Sequence, residues 1–476
     1  MTAWPRSAAG ATALGWLATL TMAGGLTEPA TADEPLPDNR PNVVLILVDD
    51  MRADDLARMP MTSQLLADNG TTFTNAYATF PLCCPSRASI LTGQYPHNTK
   101  VLSNRAPLGG FTRFNDSNSV GTWLDSTGYA TGYIGKYLNQ YARFNKMYVP
   151  PGWDVWEGLI GGIQVPSAPQ TFNVNGEESV RDGHQTDVLT ERGVEFLRTH
   201  TDAPMLLHLA YTAPHSSKIG PRWVPPQPAP RHEHAFDGLA PPANPAYNEA
   251  DVSDKPESLQ SPLLTEEDFA HMQALAEGRA EALLAVDDGV QQLVDTLQAA
   301  GELDNTYFVF TSDNGFFLGE HRRRSGKIEH YEPASGVPLV IRGPGIPTGS
   351  TDAVVGLHDL APTILGVTQS WGAVTDFVLD GRDLLPLAQD PTLPADRDLL
   401  IRARRPGTAG LSYVAVRTDG GWKYVRYANG ALEMYDLNAD PYELDNLAGR
   451  EEFAAVEQEL AARLTAIERC TGDACR

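Results

Sequence analysis

Two stretches of this chain, Asn42–Val48 and Thr306–Thr311, are nearly unbroken runs of β-branched, aliphatic and aromatic residues. Neither alternates apolar with polar, so each reads as a strand buried on both faces, as in the middle of a helix-covered parallel sheet. Each run then stops in oxygen donors. Asp49-Asp50 follows the first; Ser312-Asp313-Asn314-Gly315 follows the second, with the glycine suited to a tight turn. Adjacent carboxylates at the end of a buried strand are costly unless a cation or solvent takes them. That edge is also where open α/β sheets bind ligands. Carboxylate and amide oxygens suit Ca²⁺ or Mg²⁺ rather than zinc. Because Asp54 and Asp55 follow closely, a solvated strand end or helix cap is the plainer alternative for the first pair.

Two further segments end in chemistry-bearing residues. Gly128–Gly135 reads as a turn and short strand ending at Lys136, and Pro204–Tyr211 as a strand leading through Thr212-Ala213-Pro214 to His215. If these strands run parallel to the first, Asp49, Lys136, His215 and Asp313 share one edge. Between them lies Cys83-Cys84-Pro85-Ser86-Arg87, continuing to Leu91-Thr92-Gly93. Vicinal cysteines rarely bond to each other, because the intervening peptide is strained. Pro85 and Ser86 suggest a turn that opens a helix, whose N-terminus favours negative charge. Arg87 is a planar donor suited to an anion.

The motif Cys83-x-Pro85-Ser86-Arg87 with Leu91-Thr92-Gly93 resembles the signature of the type I sulfatases. Five separated motifs across about residues 40–450 follow that family's order. The resemblance implies an α/β, alkaline-phosphatase-like fold: a mixed, mostly parallel sheet flanked by helices, with a small C-terminal antiparallel sheet plus helix. It implies that Cys83 is converted to formylglycine by a formylglycine-generating enzyme. One hydroxyl of the hydrated aldehyde attacks sulfur, and the second lets the carbon collapse to aldehyde and expel sulfate, a second step that serine lacks. It further implies that Asp49, Asp50, Asp313 and Asn314, with the oxygen at Cys83, hold one Ca²⁺. Arg87, Lys136, His215 and Lys327 would neutralise and orient the sulfate, with His215 suited to general-acid work and Asp313 to service as a base. Many members carry a histidine two residues after the lysine matched by Lys136; here Leu138 stands there and Asn139 follows. The Gly-Lys-Tyr-Leu-Asn variant is similar to N-acetylglucosamine-6-sulfatases and the extracellular heparan 6-O-endosulfatases, and tilts the expected substrate towards 6-sulfated glucosamine. The rivals are a phosphomonoester, phosphodiester or phosphonate hydrolase on the same scaffold, and a silent sulfated-glycan binder with an unmodified Cys83.

The chain's 476 residues carry a formal net charge of −24. That balance argues against nucleic acid and against anionic membranes as partners. Arg322-Arg323-Arg324 is the local basic cluster expected at a pocket mouth, with a solvated turn as its alternative. Residues 1–32, with Arg6 ahead of an apolar run and Ala30-Thr31-Ala32 at the end, read as a secretory signal cleaved after Ala32. No other long apolar run is present, so the mature chain is expected to be exported without a membrane span. Cys470 and Cys475 then read as a terminal disulfide loop.

The remaining chain organises as a linker (33–41), a catalytic domain (42–394) and a small α+β domain (395–476). Within the catalytic part, the Pro-rich stretch 217–262 reads as a rim that helps choose the alcohol half of the substrate. Thr265 caps a long helix ending at Gly301, whose apolar stripe is core packing and whose Asp287 and Asp288 are expected on a solvated face. In the C-terminal part, Tyr413–Arg417, Trp422–Tyr427 and Glu433–Asp436 read as short strands joined by Asp-Gly and Asn-Gly turns, before a final helix near 451–468.

Overall fold

The computed structural model describes residues 38–220, 222–405 and 410–476. The signal-like segment 1–32 and residues 33–37 of the linker lie outside the described residues. The Asn42–Val48 strand is buried along its whole length and its side chains divide by parity. Val43, Leu45 and Leu47 enter one apolar core, while Val44, Ile46 and Val48 enter a second on the opposite face. This is the two-faced burial expected of an unbroken apolar strand.

The strand lies near the centre of a ten-stranded sheet. The spatial order is Gly349–Thr351, Thr71–Phe73, Leu339–Arg342, Thr306–Ser312, Asn42–Val48, Met205–Ala210, Ala130–Gly135, Val155–Gly161, Gln170–Val174, Glu177–Arg181. The central five strands, from Thr306–Ser312 to Val155–Gly161, are mutually parallel, and antiparallel pairs flank them on both sides. Register aligns the tips: Val48 pairs with Ser312, Leu47 with Ala210, and Gly135 with Ala210. The residues that follow each strand therefore emerge side by side. At Gly135 (φ +114°) an added Cβ would meet the Ala210 carbonyl oxygen at 2.0 Å, so only glycine lets the chain turn Lys136 into the edge.

One face of the sheet is covered by the Cys83–Thr92 and Leu360–Val367 helices, the other by Gln185–Thr199 and Glu266–Ala300. The last of these is capped by Thr265 in a reciprocal capping box with Asp268 and ends at Gly301 in the left-handed conformation, as the sequence predicts. Asp287 departs from expectation. It is buried and accepts hydrogen bonds from the Met61 and Thr62 amides at 2.9 and 2.6 Å, closing the start of the Pro60–Leu65 helix. Asp288 bonds Arg231 and His232 at 2.8 and 2.7 Å.

The C-terminal antiparallel sheet has four strands rather than three. Asp398–Ala403 precedes Tyr413–Thr418, Trp422–Tyr427 and Leu432–Asp436, and the Ala454–Ile467 helix packs on them. The extra strand was obscured because its run Leu399–Ile401 lacks a turn signal of the Asp-Gly kind at its end. Cys470 and Cys475 form the disulfide. Residues 39–476 make one compact unit. No helix among the described residues is long and apolar enough to cross a membrane.

A buried polar network joins this small sheet to the segment at residues 327–332. Glu433 accepts hydrogen bonds from the Tyr331 and Tyr427 hydroxyls at 2.9 and 3.2 Å and lies 2.5 Å from the His330 Nε2. Burial pushes the Glu433 carboxyl up to about 7, only partly opposed by its tyrosine bonds and by Lys255 and His321. Burial likewise holds His330 down at about 3. Both shifts favour the proton on the Glu433 side of the contact with His330 Nε2. A carboxyl whose folded pKa is raised binds more protons folded than unfolded, so its contribution is full below the unfolded value and is lost as pH rises through the folded one. Unfolding free energy should therefore fall between about pH 4.5 and 7 by roughly 2–3 kcal/mol from this group. Glu433→Gln, which keeps a donor for His330, should flatten that slope in denaturant titrations across the range; an unchanged slope would show that Glu433 is ionised in the folded protein.

Candidate active site

Cys83 is the first residue of the Cys83–Thr92 helix, and every residue of that helix is buried. Arg87 sits one turn further along the same face. Its Nε donates to Asp313 Oδ2 at 2.7 Å and its Nη1 to the Lys136 carbonyl at 2.7 Å, while Nη2 lies 3.6 Å from Asp49 Oδ2. One guanidinium thus ties together the ends of three strands. The Cys83 sulfur lies 3.7 Å from Asp49 Oδ1 and 2.9 Å from the Lys327 ammonium. Lys136 pairs with Asp49, and Lys327 with Asp50.

Asp50 has a left-handed backbone (φ 69°), tolerable for aspartate and costly for most residues. Its amide donates to Asp313 Oδ1 at 3.2 Å, and its Oδ1 accepts from Asn314 Nδ2 at 2.7 Å. His215 follows the strand Met205–Ala210. Its Nδ1 lies 2.8 Å from the Ser216 carbonyl, which only accepts, so Nδ1 carries the proton and Nε2 faces Asp50 Oδ2 at 3.7 Å.

Ligand atoms of Asp49, Asp50, Cys83 and His215 all lie within 4.8 Å of one another, a grouping able to hold a metal ion. His215, expected as a sulfate contact and general acid rather than as a metal ligand, belongs to this group. Asp313 lies outside it, engaged with Arg87 and the Asp50 amide. Asn314 Oδ1 is buried without a hydrogen-bond partner among the described residues. A carboxylate-rich pocket with an orphaned amide oxygen fits a hard divalent cation.

Electrostatics separates the side chains. Burial raises Asp50, but Lys327 and His215 outweigh it and hold the carboxyl down at about 2. Burial similarly opposes the lowering of Asp49 by Lys136, His215 and Arg87, and the cations win. Burial pushes the Cys83 thiol up to about 11 despite Lys136 and Lys327. An unmodified thiol at this position stays protonated at neutral pH and is a poor nucleophile.

The site opens into a cavity of about 850 Å³, lined by Asp49, Cys83, Lys136, His215 and Lys327 among others. Asn139 also lines it, with its Oδ1 buried and unpartnered among the described residues. The sulfatase family model matches residues 41–370, and a model described as N-sulphoglucosamine sulphohydrolase, C-terminal, matches residues 319–470. This chain belongs to the sulfatase family.

The sulfatase is 32% identical to an arylsulfatase of Volvox carteri, over 92% of this chain and 76% of that protein. It is 31% identical to human N-acetylglucosamine-6-sulfatase, over 92% of this chain and 86% of the relative. A solved protein in complex with its substrate D-glucosamine-2-N,6-O-disulfate superposes with a TM-score of 0.74 at 26% identity, covering 90% of this chain and 97% of that one. The alkaline-phosphatase-like fold and a sulfuric ester hydrolase activity follow from these matches.

Several expectations of the sulfatase's sequence need correction. Arg322–Arg324 do not line the cavity. Arg322 donates to the Glu249, Ala250 and Ser261 carbonyls, Arg323 lies 3.6 Å from Glu329, and Arg324 pairs with Asp268 at 2.7 Å. They pin loops. Among the described residues of the 217–262 stretch, those that line the cavity are Lys218, Gly220 and Trp223, near its start.

Arg279 was missed by treating the long helix as core packing alone. It is buried, and its Nη2 donates to the Asp50 carbonyl at 2.5 Å and to Asp55 Oδ2 at 3.1 Å, while Nη1 reaches the Pro214 carbonyl at 3.5 Å. It holds both Asp50 and the approach to His215. The signal was present: Arg279 lies three residues after Ala276 and four before Leu283, on the apolar stripe. Removing it leaves Asp55 short of a buried cation, a loss of roughly 3 kcal/mol or more. Arg279→Met should lower the melting temperature and reduce kcat on a sulfate ester about tenfold or more, with Arg279→Lys recovering more stability than activity. Kinetics and thermal melts check this; wild-type kcat in a folded Arg279→Met would show that Asp50 and His215 hold their places unaided.

Proposed function

We propose that this sulfatase hydrolyses a sulfate monoester on a sulfated sugar, with 6-sulfated glucosamine the favoured class. One observation carries the reading: the side chain at position 83 stands at a helix N-terminus, 2.9 Å from the Lys327 ammonium and 3.7 Å from the Asp49 carboxylate. The identity to N-acetylglucosamine-6-sulfatase and the disulfated glucosamine bound to the solved relative favour the sugar.

Cys83 is read as formylglycine, made by a formylglycine-generating enzyme, whose hydrate supplies an oxygen nucleophile and a second hydroxyl for sulfate release. Asp49, Asp50, Asp313 and Asn314, with the oxygen at position 83, are read as the ligands of one Ca²⁺, which neutralises anionic charge. Arg87 orients the helix start and offers Nη2, which has no hydrogen-bond partner among the described residues, to an anion. Lys136, beside Asp49, and Lys327, beside Asp50 and position 83, bind the sulfate oxygens. His215, with Nδ1–H fixed on the Ser216 carbonyl, presents Nε2 to the departing alcohol oxygen, and in the imidazolium form, with both ring nitrogens protonated, gives that oxygen the Nε2 proton. Asn139, one residue past the position at which many members carry histidine, offers a neutral hydrogen bond.

Residues 1–32 are read as an export signal cleaved after Ala32, in keeping with the Cys470–Cys475 disulfide, a bond typical of oxidising compartments. The partition at 394/395 is read as the boundary between the catalytic part and the C-terminal sheet.

Peptide mass spectrometry of protein matured with the modifying enzyme should find the Cys83 peptide lighter than its thiol form, and Cys83→Ala should abolish turnover of N-acetylglucosamine 6-sulfate without unfolding the protein. Chelation should remove activity and Ca²⁺ should restore it better than Zn²⁺. An unshifted peptide mass would favour a silent binder. Faster turnover of a matched phosphate or phosphonate ester would favour the phosphorus-ester hydrolases.

A further inference from the structure

The cavity carries more positive charge than one sulfate requires. Its lining holds five lysines and arginines, namely Arg105, Lys136, Arg143, Lys218 and Lys327, against a single carboxylate, Asp49, in a chain of net charge −24. Lys136 and Lys327 are committed to Asp49, Asp50 and position 83. Arg105, Arg143 and Lys218 are not: among the described residues none has a carboxylate within ion-pair distance. Elsewhere in this protein such arginines are spent on carboxylates, as Arg231, Arg324 and Arg463 are.

The three cations are held on two walls. On one, the Ala106 amide donates to Gln140 Oε1 at 2.9 Å and the Phe111 amide to the Asn139 carbonyl at 2.8 Å, so the loop bearing Arg105 is tied to the segment bearing Arg143. Asn104, next to Arg105, accepts from the Cys84 amide at 2.9 Å, which references this wall to the nucleophile helix. On the other wall, the ribbon Ser217–Ile219 and Arg222–Val224 carries Lys218 and Trp223. The Lys218 amide donates to the Gln164 carbonyl at 2.8 Å, and the Lys218 ammonium stands 5.6 Å from the centre of the Trp223 ring. That ring is 53% exposed and 5.6 Å from the His215 ring. An exposed indole beside the proposed leaving-group acid is a stacking surface for a pyranose face.

We infer that Arg105, Arg143, Lys218 and Trp223 form a leaving-group subsite for an acidic saccharide, one bearing a second anionic group in addition to the sulfate that is cleaved. Trp223 stacks on the sugar and the cations take the second anion, whether a sulfate on the same residue or the carboxylate of an adjoining uronic acid. The inference rests on the sulfatase reading and adds the charge of the alcohol half, which that reading leaves open.

The test compares kcat/KM at low salt for glucosamine 6-O-sulfate, glucosamine 2-N,6-O-disulfate, and a disaccharide of 6-sulfated N-acetylglucosamine with a uronic acid. At least one doubly anionic substrate should be preferred by roughly tenfold, and the preference should shrink at high salt because the cations are solvent-facing. The two arms tell a second sulfate from a carboxylate. In Arg105→Gln/Arg143→Gln, and separately in Lys218→Gln, the ratio of doubly to singly anionic turnover should fall about fivefold or more. Trp223→Ala should raise KM for the saccharides more than for 4-nitrophenyl sulfate. Melting temperatures confirm folding of these surface variants. A wild-type ratio near one, or a ratio unmoved by the arginine and lysine variants, overturns the subsite while leaving the sulfatase reading intact. Turnover of no sulfate ester at all overturns that reading, and the subsite with it.

Discussion

Carboxylates buried where parallel strands end are the constraint on which this structure turns. Asp49, Asp50 and Asp313 are all essentially inaccessible to solvent, and each would be expensive to bury alone. The fold compensates with cations drawn from separate parts of the chain: Arg87 from the Cys83–Thr92 helix, Lys136 from a strand tip, Lys327 from beyond the Asn314 turn, and Arg279 at the Asp50 carbonyl from the long helix. On the proposed reading, the cations that offset these buried carboxylates are also those that bind the sulfate. Stability and anion binding are therefore coupled here, and the helix N-terminus at Cys83 adds its own positive end to the set.

The small C-terminal sheet takes part in this economy of charge. Lys327 is followed by Ile328, a β-branched residue held at φ +88°, which is a costly backbone state. The surroundings over-determine it. The Ile328 amide donates to the Pro81 carbonyl at 3.0 Å, its own carbonyl accepts from the Tyr413 hydroxyl at 2.7 Å, and Arg405 grips Glu329 at 2.7 Å. Lys423, fully buried, bridges Glu332 and Glu443 at 2.6 and 2.8 Å. Lys327 reaches Cys83 because residues nearly a hundred positions later hold its segment in place.

Much of this was legible in the sequence. Strands buried on both faces declare themselves by unbroken apolar runs, and oxygen donors after them mark an edge, which is why Asp49, Asp50, Asp313, Asn314, Lys136 and His215 could be expected side by side, where the strand register puts them. Residues whose role depends on a partner distant in the chain were not legible. Asp287 looks like any helical carboxylate until the Pro60–Leu65 helix is seen to begin against it. Arg322–Arg324 look like an anion site because clustering is visible in sequence, whereas consumption by Glu329, Asp268 and loop carbonyls is not. Conversely, Arg105, Arg143 and Lys218 are scattered singly among unremarkable residues, and only the tie from Gln140 to Ala106 and the ribbon bearing Trp223 bring them round one cavity.

On the proposed reading of Cys83 as formylglycine, the surroundings of the residue explain why the thiol would be replaced. Burial and the neighbouring carboxylates disfavour a thiolate, and they outweigh two lysines within reach. Making the site more cationic would ionise the sulfur but would loosen its balance with Asp49 and Asp50. Replacing the sulfur by an oxygen function removes that conflict, since a hydrated aldehyde can be a neutral hydrogen-bonding group in the resting site and give up a proton only as substrate engages. The acidic strand tips and the cationic cradle can then stay as they are through the cycle, which suits groups fixed in place before reaction begins.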